Sequence, residues 1–319
     1  MVGISPYALG ATLYMPATRA DLFDVVINNK IPGLRSLVIC LEDAVSDCDI
    51  EYATQNLVQL LEQIDAHGGR TTICPLLFVR PRNAVMADQL NALEMIKHVD
   101  GFVAPKLNLD SLSQWQQAVS RPSLLLMPTL ETRDVFDPVA MVDLRDALNE
   151  TIKHKVLALR IGGNDLMGYL GLRRSTTHTL YKTPMGYVIP MLAGIMGSAG
   201  YALTAPVFER LDNSALLQDE LEMDLLQGLV GKTAIHPAQI HIIHEAFRVS
   251  IHDLNSARLI LAEGAQAVFK HGGAMCEPAT HLQWARSIIE RAQWHGVRHE
   301  ALNPQNNNTT ISIAVNTTL

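Results

Sequence analysis

Short apolar runs of strand length alternate with longer amphipathic stretches along most of this chain, which is the pattern of repeated βα units. The runs 12–15, 35–41, 74–80, 101–104, 124–130, 156–161, 201–204 and 232–235 predict strands. The stretches 19–30, 50–67, 86–98, 110–119, 136–151, 184–199, 213–228 and 237–248 predict the helices between them. Eight alternations within residues 1–250 match the size of an α/β protein of the (β/α)8 TIM-barrel type. A doubly wound open sheet is the alternative. After residue 250 the pattern changes. Segments 253–271 and 279–296 predict two helices joined by Gly272-Gly-Ala-Met-Cys-Glu-Pro278. This C-terminal helical extension, 251–300, is expected to lack a core of its own and to pack on the barrel or a neighbouring subunit. The polar tail 301–319 is rich in Asn and Thr, a composition that favours disorder, yet Ile311, Ile313 and Val315 alternate as in a strand. Segment 162–183, with Gly162-Gly163, Gly168, Gly171, Arg173-Arg174, His178 and Lys182, predicts a long loop over the barrel rim.

Composition narrows the function classes. A hydrophobic content of 48% against 18% charged residues suits a large core. The net charge of −7 argues against an electrostatic nucleic-acid surface. No apolar run nears the roughly 20 residues of a membrane span, and the start lacks the basic-then-apolar order of a secretory signal. Cys40, Cys48, Cys74 and Cys276 have neither zinc-type nor redox-type spacing. Cys40 and Cys74 fall in apolar runs, which predicts core thiols and a reducing, cytoplasmic setting.

The chemistry gathers at the predicted strand ends. Glu131 follows Leu124-Leu-Leu-Met-Pro-Thr-Leu, and Asp165 follows Val156-Leu-Ala-Leu-Arg-Ile-Gly-Gly-Asn. Acidic groups at the ends of successive strands point to one place, the C-terminal rim. Two carboxylates brought together repel, so they share a proton or a hard cation. Other strand ends carry Tyr14 to Arg19, Glu42-Asp43, Arg80 with Arg82 and Asn83, Lys106, and His236. Each alone reads as a cap or a solvated loop charge. Together they read as a site.

The ordered set Tyr14-Met-Pro with Arg19, Cys40-Leu-Glu-Asp-Ala-Val45, Val79-Arg80 with Asn83, Ala104-Pro-Lys106, Glu131-Thr132, Gly162-Gly-Asn-Asp-Leu166 and Gly231-Lys-Thr-Ala-Ile-His-Pro-Ala-Gln239 resembles the citrate lyase β-subunit-like family. That family lies within the wider HpcH/HpaI aldolase and citrate lyase group, and the chain reads as a divergent branch of it. The resemblance runs from about residue 12 to residue 290. It implies a (β/α)8 barrel, a homo-oligomer (trimer or hexamer), and Mg2+-dependent making or breaking of a carbon–carbon bond, with Mn2+ as the alternative cation.

Carried over residue by residue, the resemblance makes Glu131 and Asp165 the metal ligands, with Glu131 also at the substrate. Arg80 becomes the substrate-binding and catalytic arginine, whose planar guanidinium suits a carboxylate or a developing enolate oxygen. Arg82 stands where the family more often has an uncharged residue, and is a further substrate-binding candidate or a solvated loop charge. Glu42 and Asp43 are expected to hold metal waters and pair with Lys106. Lys106 is a catalytic candidate; a Schiff-base role is disfavoured because acidic neighbours keep its ammonium charged. Arg19 either reaches substrate or caps the first helix. Glu277, in Gly273-Ala-Met-Cys-Glu277, falls on a turn from which family members supply an acid to a neighbouring subunit. It is the acid/base candidate, or simply an acid before a helix. His236 is expected to fix the last rim loop.

The substrate implied is a small β-hydroxy or β-keto carboxylic compound. It is a CoA thioester of the citramalyl or malyl kind, or a free acid. The basic residues of the first helix region, Arg19 and Lys30, are interrupted by Asp21 and Asp24, which favours a non-CoA substrate. The alternatives are a metal-dependent pyruvate aldolase and a catalytically silent barrel subunit.

Overall fold

The computed structural model describes residues 3–298. Its strands are β1 (Gly10–Pro16), β2 (Ser36–Cys40), β3 (Leu76–Arg80), β4 (Gly101–Ala104), β5 (Leu125–Leu130), β6 (Leu159–Ile161), β7 (Leu203–Thr204) and β8 (Gly231–Ala234). They pair in chain order from β1 to β7, all parallel, and β1 pairs with β8. Bonds from Ala205 N to Gly231 O (2.8 Å) and from Val230 N to Leu203 O (2.9 Å) join β7 to β8. The ring is the TIM barrel that the alternation predicts.

Helices α1 (Leu22–Val26), α2 (Ile50–Ala66), α3 (Ala84–Asn91), α4 (Leu112–Ala118), α5 (Pro138–Thr151), α6 (Gly163–Tyr169), α7 (Met185–Gly197), α8 (Ser214–Leu226) and α9 (Ala238–Phe247) lie between the strands. The longest of them, α2, buries Ala53, Leu57, Leu60, Leu61 and Ile64, one stripe at helical spacing. Its polar residues are left for solvent. Starts are fixed locally: Asn83 accepts from Met86 N (3.0 Å) before α3, and Asp137 accepts from Val139 N (2.9 Å) before α5, which satisfies helix-end donors. Among the described residues no helix is long and apolar enough to cross a membrane.

The two-residue period of a strand sorts the core into two regions. Leu37 and Ile39 of β2, Leu77 and Val79 of β3 and Leu159 and Ile161 of β6 belong to the main apolar cluster with the helices. The alternate residues Val38, Phe78, Val103, Met127 and Ala158 form a separate buried plug with Leu9 and Leu157. Two residues further along the same strands, Cys40, Arg80, Thr129 and Arg160 line a cavity. The plug makes one end of the interior apolar, and the polar layer lies toward the C-terminal strand ends.

Segment 162–183 is more ordered than a rim loop. It begins with α6 and holds a short 3-10 turn at Leu180–Lys182. A buried ion cluster ties it down. Lys232 Nζ of β8 donates to Glu220 (2.9 Å) and Asp224 (2.8 Å) of α8. Arg174 pairs with Glu220 at 2.6 Å, Leu180 N donates to Glu220 (2.8 Å), and the Tyr181 hydroxyl donates to Asp224 (2.8 Å). Other boundaries also differ from the sequence pattern. The first helix is only Leu22–Val26, because Asn29 takes a left-handed turn (φ 52°). The stretch 86–98 splits into α3 and a 3-10 turn, Glu94–His98. Cys74 is half-buried just before β3 rather than in the core, and all four cysteines are free.

The described residues from Arg248 to Arg298 form a second compact unit. It contains β9 (Val249–Ser250), α10 (Ile251–Ile260), β10 (Phe269–His271), β11 (Ala274–Cys276), α11 (Pro278–His295) and β12 (Val297–Arg298). The expected helix 253–271 stops at Ile260, and the chain turns at Gly264 (φ 76°) into the β10–β11 hairpin. This unit does have a small core of its own: Val249, Leu254, Ala257, Ile260, Cys276, Ala285 and Ile288. The alternation of Ile311, Ile313 and Val315 lies outside the described residues.

The ion cluster yields a stability test. Removing Lys232 takes one of two cations from buried Glu220 and leaves buried Asp224 with the Tyr181 hydroxyl alone among the contacts described, and breaking a buried pair costs roughly 3–5 kcal/mol. Lys232→Met is therefore expected to lower the urea-unfolding free energy by about that much. A loss below about 1 kcal/mol would show that the cluster holds nothing together.

Candidate active site

Glu131 directly follows β5 and is 2% exposed. A buried carboxylate requires donors, and two are supplied from different strands. Arg80 Nη2, at the end of β3, lies 3.0 Å from Oε1. The backbone N–H of Lys106, just past β4, donates to the same oxygen at 2.9 Å. Lys106 has a left-handed backbone (φ 50°), which a residue with a Cβ adopts at a cost of order 1 kcal/mol. That turn aims its amide inward.

On the other side of Glu131, Gly162 directly follows β6. A Cβ added there would lie 2.3 Å from both Cβ and Oε2 of Glu131, so no larger residue fits without moving the carboxylate. Asp165 stands in the first turn of α6, where an acid is favoured by the helix dipole. Its side chain is 30% exposed. Burial raises the Glu131 carboxyl to about 7; Arg80 opposes this, and the negative charge of Asp165 adds to it.

The remaining charges form a ring around Arg80. Its Nη2 is 2.7 Å from Glu42 and 3.2 Å from Asp43. Burial disfavours the guanidinium, yet Glu131, Tyr14 and Glu42 hold its pKa above the ordinary value. Lys106 Nζ lies 2.5 Å from Glu42, 3.7 Å from Asp43 and 4.0 Å from Asp165. Burial opposes its charge, but Glu42 raises its pKa overall. Lys106 is thus held as an ammonium, the wrong state for imine formation.

Four of these groups border a cavity of about 500 Å3, of ordinary size for a small-molecule site, while Glu42 and Lys106 stand behind its wall. Arg80, Asp43, Glu131 and Asp165 line it. Other predicted residues have different settings. Arg82 donates to Leu41 O (3.1 Å) and Val45 O (2.8 Å) and pairs with Asp47. It stitches the loop after β2 instead of lining this cavity. Arg19 is half-exposed and holds Asp21 through two 2.8 Å bonds. His236 is exposed and accepts from Ala238 N at 3.2 Å, a turn at the start of α9. Glu277 precedes α11 in the second unit, and its N–H donates to His281 Nδ1 at 3.1 Å.

Tyr14 and Gly162, which the sequence marks only as part of strand-end motifs, and Thr129 and Arg160, which it does not mark, also line the cavity. The signal for Arg160 was present: it is the lone charge in an otherwise apolar strand run.

The donor set fits a hard divalent cation. Among the described residues no three His, Cys, Asp or Glu gather as a cage. Two carboxylates beside an open cavity are what Mg2+ takes when waters and substrate oxygens complete its shell. A cation would also relieve the like-charge crowding that raises Glu131.

Residues 3–297 match the family described as "C-C_Bond_Lyase of the TIM-Barrel fold". A citrate lyase subunit beta-like protein of Deinococcus radiodurans is 27% identical over 282 residues, 84% of this chain and 90% of that one. The structure of CitE from Mycobacterium tuberculosis with magnesium, acetoacetate and coenzyme A superposes with a TM-score of 0.64 at 22% identity. It covers 89% of this chain and 98% of the other. RipC from Yersinia pestis gives 0.55 at 23% identity, over 76% of this chain and 96% of its own. At such identities the structural likeness speaks for the fold.

Gly162→Ala should displace the Glu131 carboxylate and leave the barrel intact. The expected result is an unchanged far-UV circular dichroism spectrum with Mg2+ affinity weakened at least about tenfold. Unchanged calorimetric Mg2+ affinity would show that the close approach is immaterial.

Proposed function

Since the chain belongs to the TIM-barrel family of carbon–carbon bond lyases, we propose that it is a Mg2+-dependent lyase of the citrate lyase β type. Its substrate is a β-hydroxy or β-keto carboxylic compound. The observation that carries this reading is the pairing of buried Glu131 with Asp165 at one cavity, beside Arg80. Related structures hold magnesium with acetoacetate and coenzyme A, and magnesium with oxaloacetate, which supports the same ligand classes here.

Glu131 and Asp165 would hold the cation, which when bound supplies a Lewis acid for the carbonyl or hydroxyl oxygen. Arg80 is fixed by Glu42, Asp43 and Glu131, so its guanidinium is preorganised at the cavity wall. It stabilises the negative charge that grows on oxygen as the carbon–carbon bond breaks to an enolate. Glu42 and Lys106 hold one another and keep Arg80 oriented. Glu277 is assigned, from the resemblance, to proton transfer at carbon in the site of a neighbouring subunit.

The test compares Glu131→Gln, Asp165→Asn and Glu277→Gln with the wild type. It measures Mg2+ binding by calorimetry and carbon–carbon cleavage of three substrate types: 3-hydroxy acids, read as the carbonyl product; 3-keto acids, read as the carboxylic acids formed with water; and 4-hydroxy-2-keto acids, read as pyruvate. The first two are offered free and as CoA thioesters. The first two variants are expected to lose Mg2+ binding and about 10³-fold or more in rate, some 4 kcal/mol of transition-state stabilisation. Glu277→Gln is expected to lose rate and keep Mg2+ affinity. Unchanged Mg2+ affinity in both ligand variants refutes the metal site. Wild-type Mg2+ binding with no turnover of any substrate favours the silent barrel. Turnover confined to free pyruvate aldols favours the aldolase.

A further inference from the structure

Arg160 sits in the middle of β6 and is 2% exposed. Buried arginines need anionic partners, and the comparable ones here have them. Arg80 touches three carboxylates, and Arg174 pairs with Glu220. Arg160 has none: among the described residues no carboxylate lies within 4.0 Å of its guanidinium. Its Nη2 donates to the Thr233 hydroxyl at 2.5 Å, its Nη1 meets Met127 Sδ at 4.0 Å, and its guanidinium lies 5.1 Å from the centre of the Tyr14 ring. These neutral contacts orient the guanidinium without balancing its charge.

Two further buried donors sit unused in the same place. Thr129, paired with Arg160 across β5 and β6, has a buried hydroxyl without a partner, and so does the Nε of Arg80. All three residues line the one cavity that also holds Glu131 and Asp165. Unsatisfied donors and an unbalanced cation clustered on a cavity wall describe the negative image of an oxyanion.

We infer that Arg160 anchors a second carboxylate of the substrate, so that the cavity selects dicarboxylic compounds. This rests on the lyase reading and deepens it: one acid group and its neighbouring oxygen belong to the Glu131–Asp165 end, and the other belongs to Arg160, with the Thr129 hydroxyl beside it. A carboxylate fits better than a phosphate. One guanidinium balances one negative charge, and the second charge of a phosphate would face Glu131 with nothing to offset it.

The experiment titrates succinate, butyrate and 3-phosphonopropionate into the full-length protein by calorimetry, with and without Mg2+. Wild type is compared with Arg160→Met and Arg160→Lys. With Mg2+, wild type is expected to bind succinate at least about tenfold tighter than butyrate and tighter than the phosphonate. Arg160→Met should bind succinate and butyrate alike, with butyrate affinity unchanged, and Arg160→Lys should fall between. Without Mg2+, Arg160→Met should bind succinate at least about tenfold more weakly than wild type does. Its urea midpoint should be unchanged or raised, because an unbalanced buried charge has been replaced by an apolar chain of similar length.

Equal binding of succinate and butyrate by the wild type, or wild-type succinate affinity in Arg160→Met, overturns the inference. Tighter phosphonate binding overturns the choice of carboxylate. The wild-type comparison stands even if a variant fails to fold. The metal-free arm reads Arg160 alone, so absence of Mg2+ binding would sink the lyase reading while leaving this one to be judged on succinate.

Discussion

A single buried carboxylate organises this barrel. Glu131 is removed from water at the end of β5, and an ion so placed persists only where charges and dipoles replace its hydration. Arg80 and the Lys106 amide do so from β3 and from beyond β4. The demand then spreads outward. Arg80 must be held, which engages Glu42 and Asp43, and Glu42 in turn engages the Lys106 side chain. Lys106 must turn left-handed to present its amide, and residue 162 must lack a Cβ because the carboxylate lies against it. Four strand ends are thereby tied to one group, and local strain is accepted where the site requires it.

The barrel provides the frame for this constraint. Period-two alternation sends apolar residues outward to the helices on every strand and divides the inward set into an apolar plug and a polar layer. The cavity is therefore closed at one end and open at the rim. The Lys232 cluster fastens the segment between α6 and α7 to α8. That segment carries Arg173, which lines the cavity. Two buried networks of charge thus divide the labour: one fastens the segment that carries Arg173, and the other orients Arg80 and Glu131 at the cavity.

Much of this was legible in the sequence because burial writes itself as a period. The eight strands were visible as apolar runs, and the strand ends marked where Glu131, Asp165, Arg80 and Lys106 would meet. What failed to show had physical reasons. The helices that stop at Val26 and Ile260 are followed by left-handed turns at Asn29 and Gly264 that apolar spacing does not record. Arg82 stayed open between a substrate anchor and a loop charge, because a charge near a strand end carries no sign of which carbonyls will claim it. Gly162 was read as loop chemistry, whereas its meaning lies in a neighbour 31 residues away in sequence. Arg160 was hidden by its apolar surroundings, although a lone charge inside a buried strand is the kind of inconsistency that functional sites produce.

The central claim is that Glu131 and Asp165 share a divalent cation. Crystals soaked in Mn2+ and measured at its absorption edge test it most directly. The account predicts one anomalous peak about 2.1 Å from an oxygen of each carboxylate, with waters or a bound acid completing an octahedron. A map with no peak there, or with the manganese held by other side chains, would contradict it.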